Sequence, residues 1–306
     1  MSETILDPIA PEAETKATST PQRTSRMRLY VRRFMRNKPA VVGVAIFIFL
    51  CLLAMFGGML SPWSHTDMDF SALSQPPSRE HWFGTTGAGN DLYAQIMHGL
   101  RRSIVIGVLV STGATAIAAF VGAMAAYLGG RAEKAILAFI HFMLIIPNFL
   151  ILALFTNSVG GDWKVLIVVM ILFNWIFSAR VIWSLSMSIR EREFIYAARY
   201  MGVPSTQIVW RHMIPNIGSL LVLQLSFGVV NAIMSETALS FLGFGVKIPD
   251  VSLGTLLQAG ANSLVSAPWN FYFVAATLTL LTVSMAFISD GLRDALDPNS
   301  AAGGRA

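Results

Sequence analysis

The feature that most constrains this chain is a series of apolar stretches, each about as long as the roughly 20 residues that a helix needs to cross a bilayer. Six of them recur along the 306 residues, at about 40–60, 104–128, 134–156, 165–187, 217–240 and 269–288. Charged residues make up only 13% of the chain, whereas soluble domains carry roughly 25%. The sequence therefore predicts an all-α polytopic membrane protein with six transmembrane helices.

The polar segments between these stretches predict how the chain is divided. We expect a disordered tail over residues 1–25, a basic amphipathic arm with the first helix over 26–60, and an extracytoplasmic segment over 61–102. A core with five transmembrane helices covers 103–292, and a second tail covers 293–306. The arm either lies on anionic lipid or serves only as a topology signal.

The distribution of Lys and Arg predicts the orientation. Six spans put the arm, the 129–134 turn, residues 190–216 and the C-terminal tail on one side, which then holds 16 of the 22 Lys and Arg. The other side holds five, and Arg180 lies within a span. Because positive residues concentrate in cytoplasmic loops, both termini and residues 190–216 are predicted to be cytoplasmic.

Catalytic and nucleic-acid-binding patterns are missing from the sequence. It contains no G-x-x-x-x-G-K-[ST], no H-E-x-x-H and no G-x-S-x-G, which are the signatures of phosphate-binding loops, zinc proteases and serine hydrolases. The spacing of His65, His81 and Asp91 fits no metal-ligand template, and no aromatic-basic stripe indicates nucleic acid. We therefore expect a non-catalytic chain without its own cofactor. Any active transport would draw on an ion gradient or on another polypeptide.

Four polar residues within the apolar stretches are candidates for a gate or a pore, namely His141, Asn148, Asn231 and Glu236. Polar groups inside membranes often mark solute pathways. Interhelical hydrogen bonds explain His141 and Asn148 equally well, and Glu236 could instead be a carboxylate at the membrane interface. Pro147 is predicted to kink its helix, because proline removes a backbone hydrogen bond.

Residues 190–216, here called the island, form a charged, helix-forming segment between two apolar stretches. Good helix formers predict a helix over 191–201 that stops at Gly202. Pro204 is placed to open a second short helix that reaches about Met213. Pro215 and Asn216 are expected to break that helix before the next span.

The island is expected to contact something on one side of the membrane. Ala197, Ala198 and Gly202 give it a small-sided surface around which the groove of another protein could close. An alternative is a hairpin that lies on the lipid surface. The length and charge of the segment favour docking.

The island resembles the EAA loop of the inner-membrane permease subunits of ABC importers. The residues that match this loop are Ala197, Ala198, Gly202, Ile214 and Pro215. Glu193 and Tyr196 lie in the same loop, and Tyr196 stands where the family often has Glu.

Three further segments resemble the C-type subunit of the dipeptide and oligopeptide permeases. They are His81-Trp-Phe-Gly-Thr85, Glu236–Gly245 (ETALSFLGFG) and Asp290–Pro298 (DGLRDALDP). His141 stands where this group is expected to have Asp. The resemblance extends over roughly residues 27–298.

The resemblance implies an ABC type I importer permease fold in the cell's inner (plasma) membrane. It implies a second homologous permease subunit, two cytoplasmic ATPase subunits that bind ATP and magnesium, an extracytoplasmic substrate-binding protein, and lipid around the helices. The implied function is peptide import through a shared pore, with the island coupled to the ATPases. Related systems import nickel or glutathione, and a secondary transporter that works alone is the alternative from another class.

Overall fold

The computed structural model describes residues 26–158, 160–247 and 249–296. Over these residues the chain is helical, and its extended pairings are two isolated bridges, Met68–Asn90 and Thr85–Asp91. The prediction of an all-α fold is confirmed for the described part. The predicted tail over 1–25 lies outside the described residues, and the tail predicted over 293–306 is described only to Leu296, where it is still helical.

The first two helices pack against the end of the last one. Helix α1 spans Arg26–Arg36, and α2 spans Lys38–Phe56 before a 3₁₀ turn at Gly57–Met59. Asn37 caps α2, since its Oδ1 accepts a hydrogen bond from the Ala40 amide at 3.1 Å. Its Nδ2 donates to Asp294 Oδ2 at 2.9 Å, so the start of α2 lies beside the end of the chain's last helix.

Helix α3 is longer than the sequence suggested. It spans the 37 residues Leu92–Leu128 and is capped by Asp91, whose Oδ1 accepts from the Ala94 amide at 2.7 Å. The predicted start near residue 104 was wrong, and the boundary drawn between 102 and 103 falls inside this helix. Arg101 and Arg102 lie inside this helix, and Arg102 is paired with Asp250.

The next span is broken at Pro147, as predicted. Helix α4 (Gly130–Ile145) and helix α5 (Asn148–Ser158) meet at an angle of 77°. The pair crosses the bundle, because its two ends have different neighbours. Near its start, Arg190 Nη1 donates to the carbonyl of Ala126 at 3.2 Å, and beyond its end the Lys247 amide donates to the carbonyl of Gly161 at 3.1 Å.

These neighbours define two sides of the bundle. The island side holds the island and the turn at Gly129, and the far side holds Gly161, Lys247 and the segment before α3. In the part of the chain that the structure describes, five helices are long and apolar enough to cross a membrane, and the bent pair makes a sixth span. The six predicted spans are therefore confirmed when α4 and α5 are counted as one.

The second half of the chain runs through the island to the end of the bundle. Its helices are α6 (Trp163–Arg190), α7 (Glu193–Tyr200), α8 (Ser205–Ile208), α9 (Gly218–Phe241), α10 (Leu253–Asn262) and α11 (Trp269–Leu296). A π turn at Val209–Met213 and a 3₁₀ turn at Ile214–Ile217 join α8 to α9.

The break expected at Pro215 and Asn216 is a change of helix type rather than a loss of helical structure. Residues Ser205–Phe241 form one helical span of 37 residues, in which a π turn at Val209–Met213 and a 3₁₀ turn at Ile214–Ile217 replace regular α-helix before α9 begins at Gly218. Pro215 lies in the first turn of the 3₁₀ helix, so its missing N–H coincides with the place where the backbone hydrogen-bonding pattern changes. The island and α9 are therefore parts of the same helical rod.

The core is held together mainly by α3. Ala118 of α3 is buried with Ala179 and Ile182 of α6, and small residues allow such helices to approach closely in lipid. Near the far side, α3 packs with α2, α9, α10 and α11 around a cluster that includes Leu92, Ile96 and Leu281. This arrangement leaves a chamber where α3, α6 and α9 face the bend between α4 and α5.

Candidate functional site

The chamber has a volume of about 410 Å³ and a mixed polar and apolar lining. Its polar residues are amides and hydroxyls: Ser111 and Thr115 from α3, Asn148 from α5, Asn174 and Ser178 from α6, and Gln224, Asn231 and Ser235 from α9. Pro147 also lines it, so the break in the fourth span forms part of the wall.

Two of the four candidate pore residues lie in this chamber. Asn148 and Asn231 both line it, and Asn148 Nδ2 donates to Asn174 Oδ1 at 3.1 Å. Asn174 and Gln224 were not among the candidates, although each is a polar residue within an apolar stretch, which was the signal used for the others. Side-chain amides carry both donors and acceptors, so these groups can bind both the N–H and the C=O of a peptide bond.

The other two candidates lie elsewhere. His141 is exposed on α4 and is not part of the chamber lining. Glu236 is 0% exposed and lies between helices near the far side, where Ser240 Oγ donates to its Oε1 at 2.6 Å. Neither side chain is in a position to touch a solute in this chamber, so a pore role for either stays a prediction.

The island has a buried face and an exposed face. Ile195 and Ala198 are each 2% exposed and pack with Val209 and Met213 beneath α7. The prediction that Ala198 belongs to an accessible small-sided surface was wrong. Residues three apart share a helix face, so Ala198 follows Ile195 into the core, while Ala197 is exposed.

The rest of the predicted contact residues are accessible to different degrees. Glu193, Gly202 and Pro215 are exposed, and Ile214 is half-buried. Gly202 ends α7 with a φ of +74°, and no atom lies within 4 Å of the position that a side chain would occupy. The predicted stop at Gly202 is therefore confirmed, and the surface around it is open.

Tyr196 binds a carboxylate that the sequence did not bring to attention. Its hydroxyl donates to Glu191 Oε2 at 2.6 Å, and Arg190 Nε donates to Glu191 Oε1 at 2.9 Å. The Tyr196 hydroxyl, followed by Arg190, lowers the pKa of Glu191, and the same hydrogen bond raises the pKa of Tyr196. An ionised Glu191 therefore lies beside position 196.

The exposed face of the island ends in an apolar tip. Tyr200 is 88% exposed, Met201 is 75% exposed and Trp210 is 56% exposed. None of the three was a candidate at the sequence level. Tyr200 lies two residues after buried Ala198 and therefore on the outer side of α7, so this spacing could have identified it. Met201 lies three residues after Ala198 but beyond the end of the helix, so the spacing alone would have placed it in the core.

A second polar network joins the far-side ends of the helices. Arg102 donates from Nε and Nη2 to Asp250 Oδ1 at 3.0 and 2.8 Å, and its guanidinium lies 4.1 Å from the ring centre of Trp163. His98 Nε2 is 3.2 Å from the same carboxylate. Burial raises the pKa of Asp250, but the hydrogen bonds from Arg102 and His98 outweigh it and hold that pKa below its ordinary value.

His81 and Asp91, which had been weighed as metal ligands, contact each other. His81 Nδ1 lies 3.0 Å from Asp91 Oδ2, and Asp91 also caps α3. His65 lies apart from them and stacks on His98 at 3.7 Å. These side chains therefore fold the segment before α3 onto the bundle.

Comparison with known proteins identifies the family that has this architecture. Residues 118–301 match the family described as the binding-protein-dependent transport system inner membrane component. The chain belongs to this family. Residues 25–77 also match the N-terminal TM domain of oligopeptide transport permease C. Together the two matches cover α1, α2 and most of the bundle, and they confirm the type I permease fold and a multi-pass membrane protein.

Relatives of this permease family cover nearly the whole chain. It is 44% identical over 278 residues to the oligopeptide transport system permease protein OppC of Mycobacterium tuberculosis (strain ATCC 25618 / H37Rv), which covers 90% of this chain and 96% of that protein. It is 31% identical over 267 residues to the protein of the same name from Bacillus subtilis (strain 168), covering 87% of each.

Proposed function

We propose that this chain is one of two permease subunits of an ATP-driven importer of oligopeptides or dipeptides. In this proposal the chamber is its half of the solute pathway. The island is the surface on which a cytoplasmic ATPase subunit docks. The chain itself catalyses no reaction, and ATP with magnesium is bound by the partner subunits.

The observation that carries the proposal is the two-faced island. Its inner face packs into the bundle through Ile195, Ala198 and Met213, so the island can move only together with the helices around it. Its outer face presents Tyr200 and Met201 to the surroundings. Large exposed apolar residues on a rigid element are typical of protein contacts. A motor that binds this tip would therefore act directly on the bundle.

The chemistry of the chamber supports a peptide as the solute. Asn148, Asn174, Gln224 and Asn231 offer donors and acceptors that match peptide groups. A nickel ion would instead favour imidazole or thiolate ligands, and the described lining contains neither His nor Cys. The names of the mycobacterial and Bacillus relatives, both oligopeptide permeases, support the same substrate class.

The remaining parts of the assembly follow from this proposal. The island side faces the cytoplasm, in agreement with its excess of Lys and Arg. An extracytoplasmic substrate-binding protein then delivers peptide to the far side. A second, homologous permease closes the open side of the chamber. ATP binding moves the island and selects between two arrangements of the bundle.

The test is reconstitution of this chain in liposomes with its partner permease, the two ATPase subunits and the binding protein. We expect uptake of a labelled tetrapeptide that requires ATP and every component. Unlabelled peptide should compete with it, whereas nickel and glutathione should not. Gradient-driven uptake by this chain alone would overturn the proposal in favour of a secondary transporter, and competition by nickel or glutathione would overturn the peptide assignment.

A further inference from the structure

Glu236 is a fully buried carboxyl whose neighbours connect the end of α9 to other helices. It is 0% exposed on α9, one turn before the helix ends, and its Oε1 accepts from Ser240 Oγ at 2.6 Å. The hydroxyls of Ser103 and Ser252 also face this carboxyl, although neither completes a hydrogen bond to Oε2. Burial of a carboxyl is costly unless it is bound by polar partners, so this cluster needs an explanation.

Ser240 connects Glu236 to the loop that follows α9. This loop, residues 242–247 and 249–252, is here called the far-side loop. Ser240 Oγ accepts a hydrogen bond from the Val246 amide at 3.2 Å and one from Ser252 Oγ at 3.4 Å, while donating to Glu236. The backbone at Gly245 passes so close to Ser240 Oγ that any side chain there would overlap it. One hydroxyl thus holds both the middle of the loop, at Val246, and its end, at Ser252.

The far-side loop is in turn attached to three other elements. Ser252 caps α10 through a reciprocal pair of hydrogen bonds with Thr255. The amide of the next residue, Leu253, donates to Ser103 Oγ of α3 at 3.2 Å. The Lys247 amide donates to Gly161 before α6, and Asp250 binds Arg102 of α3. Movement of the end of α9 can therefore be transmitted through this loop to α3, to α10 and to the segment before α6.

The other end of the same rod is the island. Residues Ser205–Phe241 are continuous, and Ile208 and Met213 at their start are buried beneath α7. Between the two ends, Gln224 and Asn231 face the chamber. Glu236 lies where this rod is joined to the far-side loop.

We propose that Glu236 is a positioning residue that fastens the rod to the far-side loop, so that the island and the far side of the membrane move as one body. Its partner in this task is Ser240. The Glu236 carboxyl orients the Ser240 hydroxyl by accepting its hydrogen bond. Through this joint, a binding protein on the far side is sensed by the ATPase on the island. The inference rests on the proposed function, since it needs an ATPase at the island.

The test is the ATPase activity of the complete complex in lipid nanodiscs, with and without peptide-loaded binding protein. For Glu236→Ala we expect basal hydrolysis within about twofold of the unsubstituted complex, and maximal stimulation reduced at least about fivefold, the lower end of typical coupling between sites. The binding-protein concentration for half-maximal stimulation should stay unchanged, because the exposed surface of the loop is intact. A disordered loop would change that concentration instead.

Two variants distinguish loss of the hydrogen bond between Glu236 and Ser240 from loss of a negative charge in general. Glu236→Gln should keep most of the stimulation, because its Oε1 still accepts from Ser240. Glu80→Ala, which removes an exposed carboxylate on the same side, should behave like the unsubstituted complex. If Glu236→Ala does not assemble, Ser240→Ala decides, with the same loss expected while the carboxyl is retained.

Full stimulation in an assembled Glu236→Ala complex, or in Ser240→Ala when the first variant fails, overturns the inference and leaves the proposed function standing. A loss as large in Glu80→Ala as in Glu236→Ala also overturns it. Absence of any ATP hydrolysis by the unsubstituted complex overturns the proposed function and the inference together.

Discussion

Gly202 offers the sharpest test of the docking surface, because its geometry separates backbone strain from a lost contact. It ends α7 at a φ of +74°, and its amide donates to the carbonyl of Arg199 at 3.1 Å. A residue with a Cβ in this left-handed conformation costs about 1–2 kcal/mol, and Asp tolerates it better than Ala does. Gly202→Asp is therefore no more strained than Gly202→Ala, and both side chains extend into open space in this chain alone.

The two substitutions differ once a partner covers the site. Against an ATPase groove, Ala adds one methyl group, whereas Asp brings a carboxylate that would be buried without a partner. An uncompensated buried charge costs about 3–5 kcal/mol, which corresponds to more than a hundredfold loss of affinity at about 1.4 kcal/mol for each factor of ten. Gly202→Asp should therefore abolish uptake while the chain still inserts into the membrane.

The assay is co-purification of the ATPase subunits with the tagged permease, together with peptide uptake at matched amounts of membrane-inserted protein. We expect Gly202→Ala to retain most of the ATPase and Gly202→Asp to lose it. Equal retention and equal uptake in the two variants would refute the docking argument. Equal loss in both would refute it too, because strain in the turn would then explain the result.

Three further expectations concern the chamber, the buried face of the island and the far-side network. Asn231→Leu should lower uptake about fivefold at unchanged ATPase binding, since one lost hydrogen bond is worth about 1 kcal/mol; an unchanged uptake rate would remove Asn231 from the pathway. Ala198→Leu should destabilise the island by about 1–3 kcal/mol by overpacking, measured by limited proteolysis, whereas Ala197→Leu should not; equal effects would contradict the assigned faces. Asp250→Asn should lower the thermal midpoint at pH 7 through the loss of about 1–3 kcal/mol of charged hydrogen bonding to Arg102. Because the folded pKa of Asp250 is depressed, this stabilisation is present above the ordinary carboxyl pKa and is lost as pH falls through the folded value, so the two proteins should converge in acid.

Much of the fold could be predicted because a membrane helix is recognisable from one continuous apolar stretch of sequence. The last helix begins at Trp269, where the sequence placed it, and α9 begins one residue from the expected start. The start of α3 could not be predicted in this way. Arg101 and Arg102 stand directly before the apolar stretch, and the carboxylate that neutralises Arg102, Asp250, is 148 residues away in sequence.

The candidate site was harder to predict, because contacts between helices decide which side chains of a span line the chamber. Asn148 and His141 belong to the same broken span, but the 77° bend at Pro147 interrupts the helical periodicity between them. One lines the chamber and the other does not. The faces of the island, in contrast, could have been read from Ile195 and Ala198, since both are apolar or small and lie three residues apart.

The lining of the chamber has a consequence for how broad the solute range can be. No described residue of that lining carries an ionisable carboxylate, amine, guanidinium or imidazole. Its amides and hydroxyls can bind only what all peptides have in common, the repeating N–H and C=O groups of the main chain. We therefore expect this subunit to pass acidic, basic and neutral sequences at similar rates, so that discrimination between them takes place before a peptide enters the membrane.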